Sequence, residues 1–296
     1  MDIAEEAIAR LERQKAWGYH AHSETASEPV ALAAIALVTA GRTAAAWPLL
    51  EWLLARQNAD GSVGIDTAQA TPGWPTAWAT IAWREAQQSG DNDARFAAAV
   101  RRGVAWLLGV EGELIEFSGA ADHDTQIKGW PWVIGTHAWS EPTAMALIAL
   151  VQAGYARHER AHEAARLLHN RMLPEGGLNY GNTIVFGQPL RPHVEPTGLA
   201  LVALAGVPDS TDRTRKSIAL LQSQLSAETT TVSLCYGLLG LAAQGEFPEH
   251  AGDWLAAAGR RTLARDPSAY KLALLALAAQ GPLCPLTRSQ REANQT

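Results

Sequence analysis

The chain has 296 residues, 47% of them hydrophobic and only 18% charged, with a formal net charge of -6. This composition supplies a large core, and the negative balance without any run of Lys or Arg argues against a nucleic-acid surface. No apolar run approaches the roughly 18 residues of a membrane span, and Cys235 and Cys284 form neither a disulfide framework nor a metal pattern.

The acidic start, Met1-Asp2-Ile3-Ala4-Glu5-Glu6, lacks the apolar segment of a secretory signal, so cytoplasmic residence is the expectation. Residues 2–14 then read as a first amphipathic helix. Ser27-Glu28-Pro29-Val30 follows and opens an almost wholly apolar run, 31–40. The same signature recurs as Trp74-Pro75-Thr76-Ala77 before 77–83, Ser140-Glu141-Pro142-Thr143 before 144–151, and Val194-Glu195-Pro196-Thr197 before 198–204. Proline fits a first helical turn, where its missing N–H costs nothing, and glutamate suits the positive end of the helix dipole. A helix that is apolar all round is buried all round, so these runs are inner helices. Between them lie amphipathic stretches with one wet face, at 43–57, 93–108, 158–171, 212–224 and 248–264. Two further apolar runs, 231–243 and 267–279, complete the alternation without the glutamate.

Six inner and six outer helices close a ring, so the expected fold is all-α, a single (α/α)6 barrel over residues 1–286 with a polar tail at 287–296. The signature prolines Pro29, Pro75, Pro142 and Pro196 are spaced 46, 67 and 54 residues apart. The excess falls in 111–140 and 173–194, both just before an inner helix, which marks one rim as the working face.

Several outer helices end in Gln- or Gly-containing turns, such as Gln57-Asn58-Ala59-Asp60-Gly61-Ser62 and Pro174-Glu175-Gly176-Gly177-Leu178-Asn179-Tyr180. With the block Gly129-Trp130-Pro131-Trp132, these turns resemble the degenerate repeats of squalene–hopene cyclases, in the terpenoid cyclase and protein prenyltransferase superfamily. The resemblance covers about residues 1–285 and implies the toroid. It also implies a terpene-cyclase-like isomerase that protonates and cyclises a linear isoprenoid in an aromatic-lined apolar cavity. Class II cyclases protonate an alkene with an Asp-x-Asp-Asp-type acid, which the resemblance matches to Asp122 and Asp124 in Asp122-His123-Asp124-Thr125. Alternatively it matches the acid to Glu141, with Glu195 at the equivalent point of a sister repeat. The blander readings are a solvated acidic turn for the aspartates and a helix-start device for Glu-Pro.

Tryptophan is unusually abundant, 11 against 5 Tyr and 4 Phe. Indole faces stabilise cations and line apolar pockets. Trp78, Trp130, Trp132 and Trp139 are therefore candidates for substrate binding, joined by Tyr180, Phe186, His137 and His193 from the rim. Helix packing is the competing role. No cofactor is required by this reading. Imidazole and carboxylate together do suit zinc or iron, so His22, His137, His193, Glu28, Glu141 and Glu195 form a candidate metal set. The expected partner is a small hydrophobic isoprenoid-like ligand, with room for peripheral membrane contact or a homodimer. A non-catalytic toroid that binds an isoprenoid, lipid or protein partner is the alternative. A metal-dependent prenyltransferase is a third reading, weakened because Ser233 stands where the family's histidine ligand would be and no Asp-x-Cys pair occurs.

Overall fold

The structure, a computed structural model, describes residues 2–90, 93–114 and 123–287. Within them twelve α-helices alternate between two concentric rings. The inner helices are α2 (Ser27–Thr39), α4 (Pro75–Gln88), α6 (Ser140–Gln152), α8 (Val194–Ala203), α10 (Thr231–Gln244) and α12 (Ala269–Ala279). The outer ones are α1 (Ile3–Leu11), α3 (Thr43–Leu54), α5 (Ala94–Gly109), α7 (Glu159–Arg171), α9 (Arg213–Gln224) and α11 (Ala251–Arg265). Each inner helix packs against the next, and α12 packs back against α2, so the ring closes as an (α/α)6 barrel. The all-round apolar sequences produce this burial: every residue of α6 is buried, whereas α9 buries only Ser217 and Leu221. None of the helices is long and apolar enough to cross a membrane.

The Pro-Thr pair of the repeated signature acts as a clamp. Thr76, Thr143 and Thr197, each in the first turn of an inner helix, accept a backbone N–H from the loop ahead of that helix. The distances are 2.8 Å from Val63, 3.0 Å from Trp130 and 2.9 Å from Leu178. All three loops are thereby pinned to the rim at which the inner helices begin. A buried amide left without its acceptor costs about 1–3 kcal/mol. Thr143→Val is therefore expected to destabilise the protein by about that amount, read as a lower denaturant midpoint at unchanged slope.

Gln57 ties the turn after α3 to the next outer helix, donating from Nε2 to the carbonyls of Gly61 and of Ala99 in α5. One feature departs from the all-helical expectation. In the loop ahead of α8, β1 (Ile184–Val185) pairs antiparallel with β2 (Gln188–Pro189). Its two-residue turn has φ of 50° at Phe186 and 73° at Gly187, the positive values a tight hairpin turn demands and glycine supplies without strain. The strands are too short for sequence alternation to mark them.

Candidate active site

The inner helices all start at the same rim, and each delivers a residue from its first two turns, or from its cap, to a cavity of about 370 Å³. Glu28 of α2, Glu141 of α6, Glu195 of α8 and Tyr270 of α12 are each the second residue of their helix. Met145 and Leu199 lie one turn further along, at the i+4 positions that share a face with Glu141 and Glu195. Tyr236 comes from the second turn of α10. The loops ahead of the helices add Tyr19, Trp132 and Tyr180, and Trp74 caps α4.

Trp74 stands where the signature elsewhere has glutamate, directly before the proline. Its indole N–H donates to Glu28 Oε2 at 2.8 Å, and the Tyr19 hydroxyl donates to the same oxygen at 2.7 Å. Trp78 Nε1, fully buried, lies near enough to favour that carboxylate without closing a hydrogen bond. Burial raises the Glu28 pKa, and these three donors counter it by favouring the ionised form. Removing a donor must shift the balance further: Trp74→Phe is expected to move the Glu28 carboxyl titration upward, measured by carbon NMR of labelled glutamate.

The other two glutamates have no such partners. Among the described residues, Glu141, 7% exposed, and Glu195 accept no hydrogen bond and form no ion pair. Burial, then the charges of Glu195 and Glu28, push the Glu141 pKa up to about 8. Glu195 is raised by burial and by the charge of Glu28. Glu141 thus keeps its proton at neutral pH. The helix dipole, worth about 0.3–1 kcal/mol, favours the ionised form but is outweighed: the rise of Glu141 from 4.5 to about 8 corresponds to roughly 5 kcal/mol. Nor do the glutamates cap their own helices: the donors to Glu28 are the Tyr19 hydroxyl and the Trp74 indole, not first-turn amides. The walls are aromatic, with Tyr19 edge-on to Tyr270 at 5.0 Å and Trp74 edge-on to Trp132 at 4.9 Å between ring centroids.

The remaining candidates fall elsewhere. Asp122 lies outside the described residues. Asp124 is exposed in a turn, where its Oδ1 accepts from the Gln126 amide and its backbone packs on Asn170 and Arg171 at the end of α7; it does not line the cavity. Trp130 is a packing residue: its N–H donates to Leu107 O at 2.9 Å and Arg160 lies over its ring. Trp139 stacks with His137 in a separate small cleft. Phe186, 99% exposed, sits at the hairpin turn. His193 lies against the Tyr180 ring, outside the cavity lining, and His22 is exposed. Among the described residues no group of three or more His, Cys, Asp and Glu is arranged to hold a metal ion. Tyr19, Tyr236 and Tyr270 were not among the sequence candidates. One signal does exist for Tyr19, which precedes Glu28 by nine residues as Trp132 precedes Glu141.

No protein-family model matches the chain, and no curated protein does. Solved structures do match. An inactive variant of an α-1,6-mannanase of Salegentibacter sp. HEL1_6, in complex with α-1,6-mannotriose, superposes with a TM-score of 0.61 at 13% identity, covering 96% of this chain and 98% of that one. An endo-1,4-D-glucanase from Vibrio fischeri ES114 gives 0.58 at 13% identity, covering 93% and 94%. Salmonella α-2-macroglobulin gives 0.53 at 16% identity over 94% of this chain, which spans only 17% of that protein's length. All share the helical toroid. The expected isoprenoid cyclase and its alternatives, an isoprenoid-, lipid- or protein-binding toroid and a prenyltransferase, are overturned: two of these matched structures are enzymes named for glycans, and one holds a mannose trisaccharide. The expected hydrophobic isoprenoid-like ligand goes with them. Three carboxyls and four tyrosine hydroxyls belong to the residues that line the cavity.

Proposed function

We propose that the chain is a glycoside hydrolase whose cavity holds part of an oligosaccharide across the scissile bond. The observation that carries this reading is a pair of partner-free carboxyls in one aromatic-walled cavity, one of which keeps its proton at neutral pH. Paired acid and base carboxyls with separated pKa values are the working parts of glycoside hydrolysis. Glu141 donates its proton to the leaving glycosidic oxygen as the bond from the anomeric carbon breaks. Glu195, in the same cavity, takes a proton from the water whose oxygen bonds to that carbon. Solvent then reprotonates Glu141 and removes the proton from Glu195. Glu28, held by Tyr19 and Trp74, supplies fixed negative charge opposite the oxocarbenium-like transition state. Aromatic rings offer flat apolar faces to sugar rings, and the mannanase and glucanase toroids lend support from the same architecture.

The test is release of reducing ends from a panel of α- and β-linked oligosaccharides. Hydrolysis of one linkage class is expected, with loss of about 10²–10⁴-fold in Glu141→Gln. An intact panel, or release that Glu141→Gln leaves unchanged, sinks the assignment.

A further inference from the structure

The cavity lining carries acids and no base. Glu28, Glu141 and Glu195 converge there, and none of the described residues that line it is Lys, Arg or His. Several charges elsewhere are matched locally. In the outer groove beside α7, Lys128 pairs with Glu111 and Arg160 with Glu163. Asp266 near the rim is held by Lys271 and His20. Inside the cavity only Glu28 is satisfied, through Tyr19 and Trp74. Glu141 is more than nine-tenths buried and its carboxyl, which lines the cavity, has no partner among the described residues; Glu195 has none among them either.

Protonated Glu141 can donate one hydrogen bond, but an ionised carboxylate only accepts, so a ligand that completes this site must bring donors to the remaining carboxyls, and negative charge there favours donors that are themselves positive. An ammonium brings three donors and one positive charge. Indole and phenol rings attract a cation through their faces as well, and Trp74, Trp132 and Tyr19 are among the residues lining the cavity. A neutral sugar hydroxyl supplies one donor and leaves the charge uncompensated.

We propose that the ligand of this cavity is an amino sugar, a glycan unit bearing a free protonated amine that docks on the side of the cavity where Glu195 faces Glu28, leaving protonated Glu141 to the glycosidic oxygen. This inference rests on the glycosidase reading and names its substrate class. The cavity, at about 370 Å³, has room for a ring as well as the ammonium.

The test is titration calorimetry of the full chain at about pH 6, where a free amine is protonated. The ligands are a glucosamine trisaccharide, its fully N-acetylated form, mannotriose and the non-sugar polyamine spermidine. The glucosamine trisaccharide is expected to bind roughly tenfold or more tightly than the N-acetylated form or mannotriose. That preference should collapse in Glu195→Gln and weaken in Glu28→Gln, while both variants keep the wild-type circular dichroism spectrum. Equal or tighter binding of the neutral sugars overturns the amino-sugar inference and leaves the glycosidase reading standing. Spermidine binding as tight as the amino sugar overturns the sugar part of the inference. Failure of all three saccharides to bind overturns both. A preference that survives Glu195→Gln and Glu28→Gln removes the ammonium from this cavity and overturns the inference.

Discussion

Replacing Glu141 by glutamine raises the melting temperature by on the order of 10 °C at about pH 9 and leaves it nearly unchanged at about pH 4. The sign follows from proton linkage. Glu141 sits in the folded chain with its pKa lifted from 4.5 to about 8, by burial first and then by the charges of Glu195 and Glu28. The folded protein therefore holds this proton more tightly than the unfolded chain does. Its stabilising contribution is complete below about pH 4.5, is lost progressively as the pH rises, and is gone above about pH 8. The total loss is roughly 5 kcal/mol. Glutamine keeps the shape and removes the ionisation, so the variant escapes the loss. The same substitution removes the proton donor, so hydrolysis should fall while stability rises. An acid kept at a cost to the fold, and whose removal slows turnover by about 10²–10⁴-fold, is what a functional carboxyl predicts; a structural carboxyl would lose stability on replacement. Thermal denaturation of both proteins across this pH range decides between them.

Gly198→Ala is expected to cost about 3 kcal/mol or more and to lower the melting temperature by about 10 °C. Gly198 lies inside α8, where a longer side chain would ordinarily favour the helix. Here a Cβ would collide with the backbone carbonyl of Tyr236 and crowd the Gly237 amide at 2.7 Å. From the other side, a Cβ on Gly240 would meet the Gly198 carbonyl at 2.6 Å. The α8 and α10 backbones are therefore in direct contact, with no flexible side chain to give way. Pushing them apart displaces Glu195 and Leu199 on one helix and Tyr236 on the other, all three of which line the cavity. The variant should thus lose ligand affinity together with stability. Unchanged melting would show that the two helices are not packed this closely.

The rings were readable because burial on every side demands apolar residues on every side, and α2, α6 and α8 comply without exception in their central turns. The shared register of Glu28, Glu141 and Glu195 was readable from the glutamate that precedes each proline. The direction of those side chains was not. A first-turn glutamate has the same sequence signature whether it caps its own amides or faces a ligand, and only the closed ring makes three of them face one another. The tryptophans expose the same limit. Trp130 and Trp132 are two residues apart, yet one is buried under Arg160 and the other lines the cavity. Tyr236 lies in an apolar run and Tyr270 sits between Ala269 and Lys271, and in neither case does the sequence mark the side turned toward the cavity. The acidic Asp122–Asp124 stretch resembled a catalytic motif in spelling, but Asp124 belongs to an exposed turn rather than an inner helix.

The most direct measurement is a crystal structure of the Glu141→Gln protein grown with the oligosaccharide that the wild-type enzyme cleaves best. A sugar chain lying in the cavity walled by Trp74, Trp132 and Tyr19, with a glycosidic oxygen within hydrogen-bond reach of residue 141, is the predicted result. A sugar bound to the outer ring with the cavity left unfilled would contradict the account.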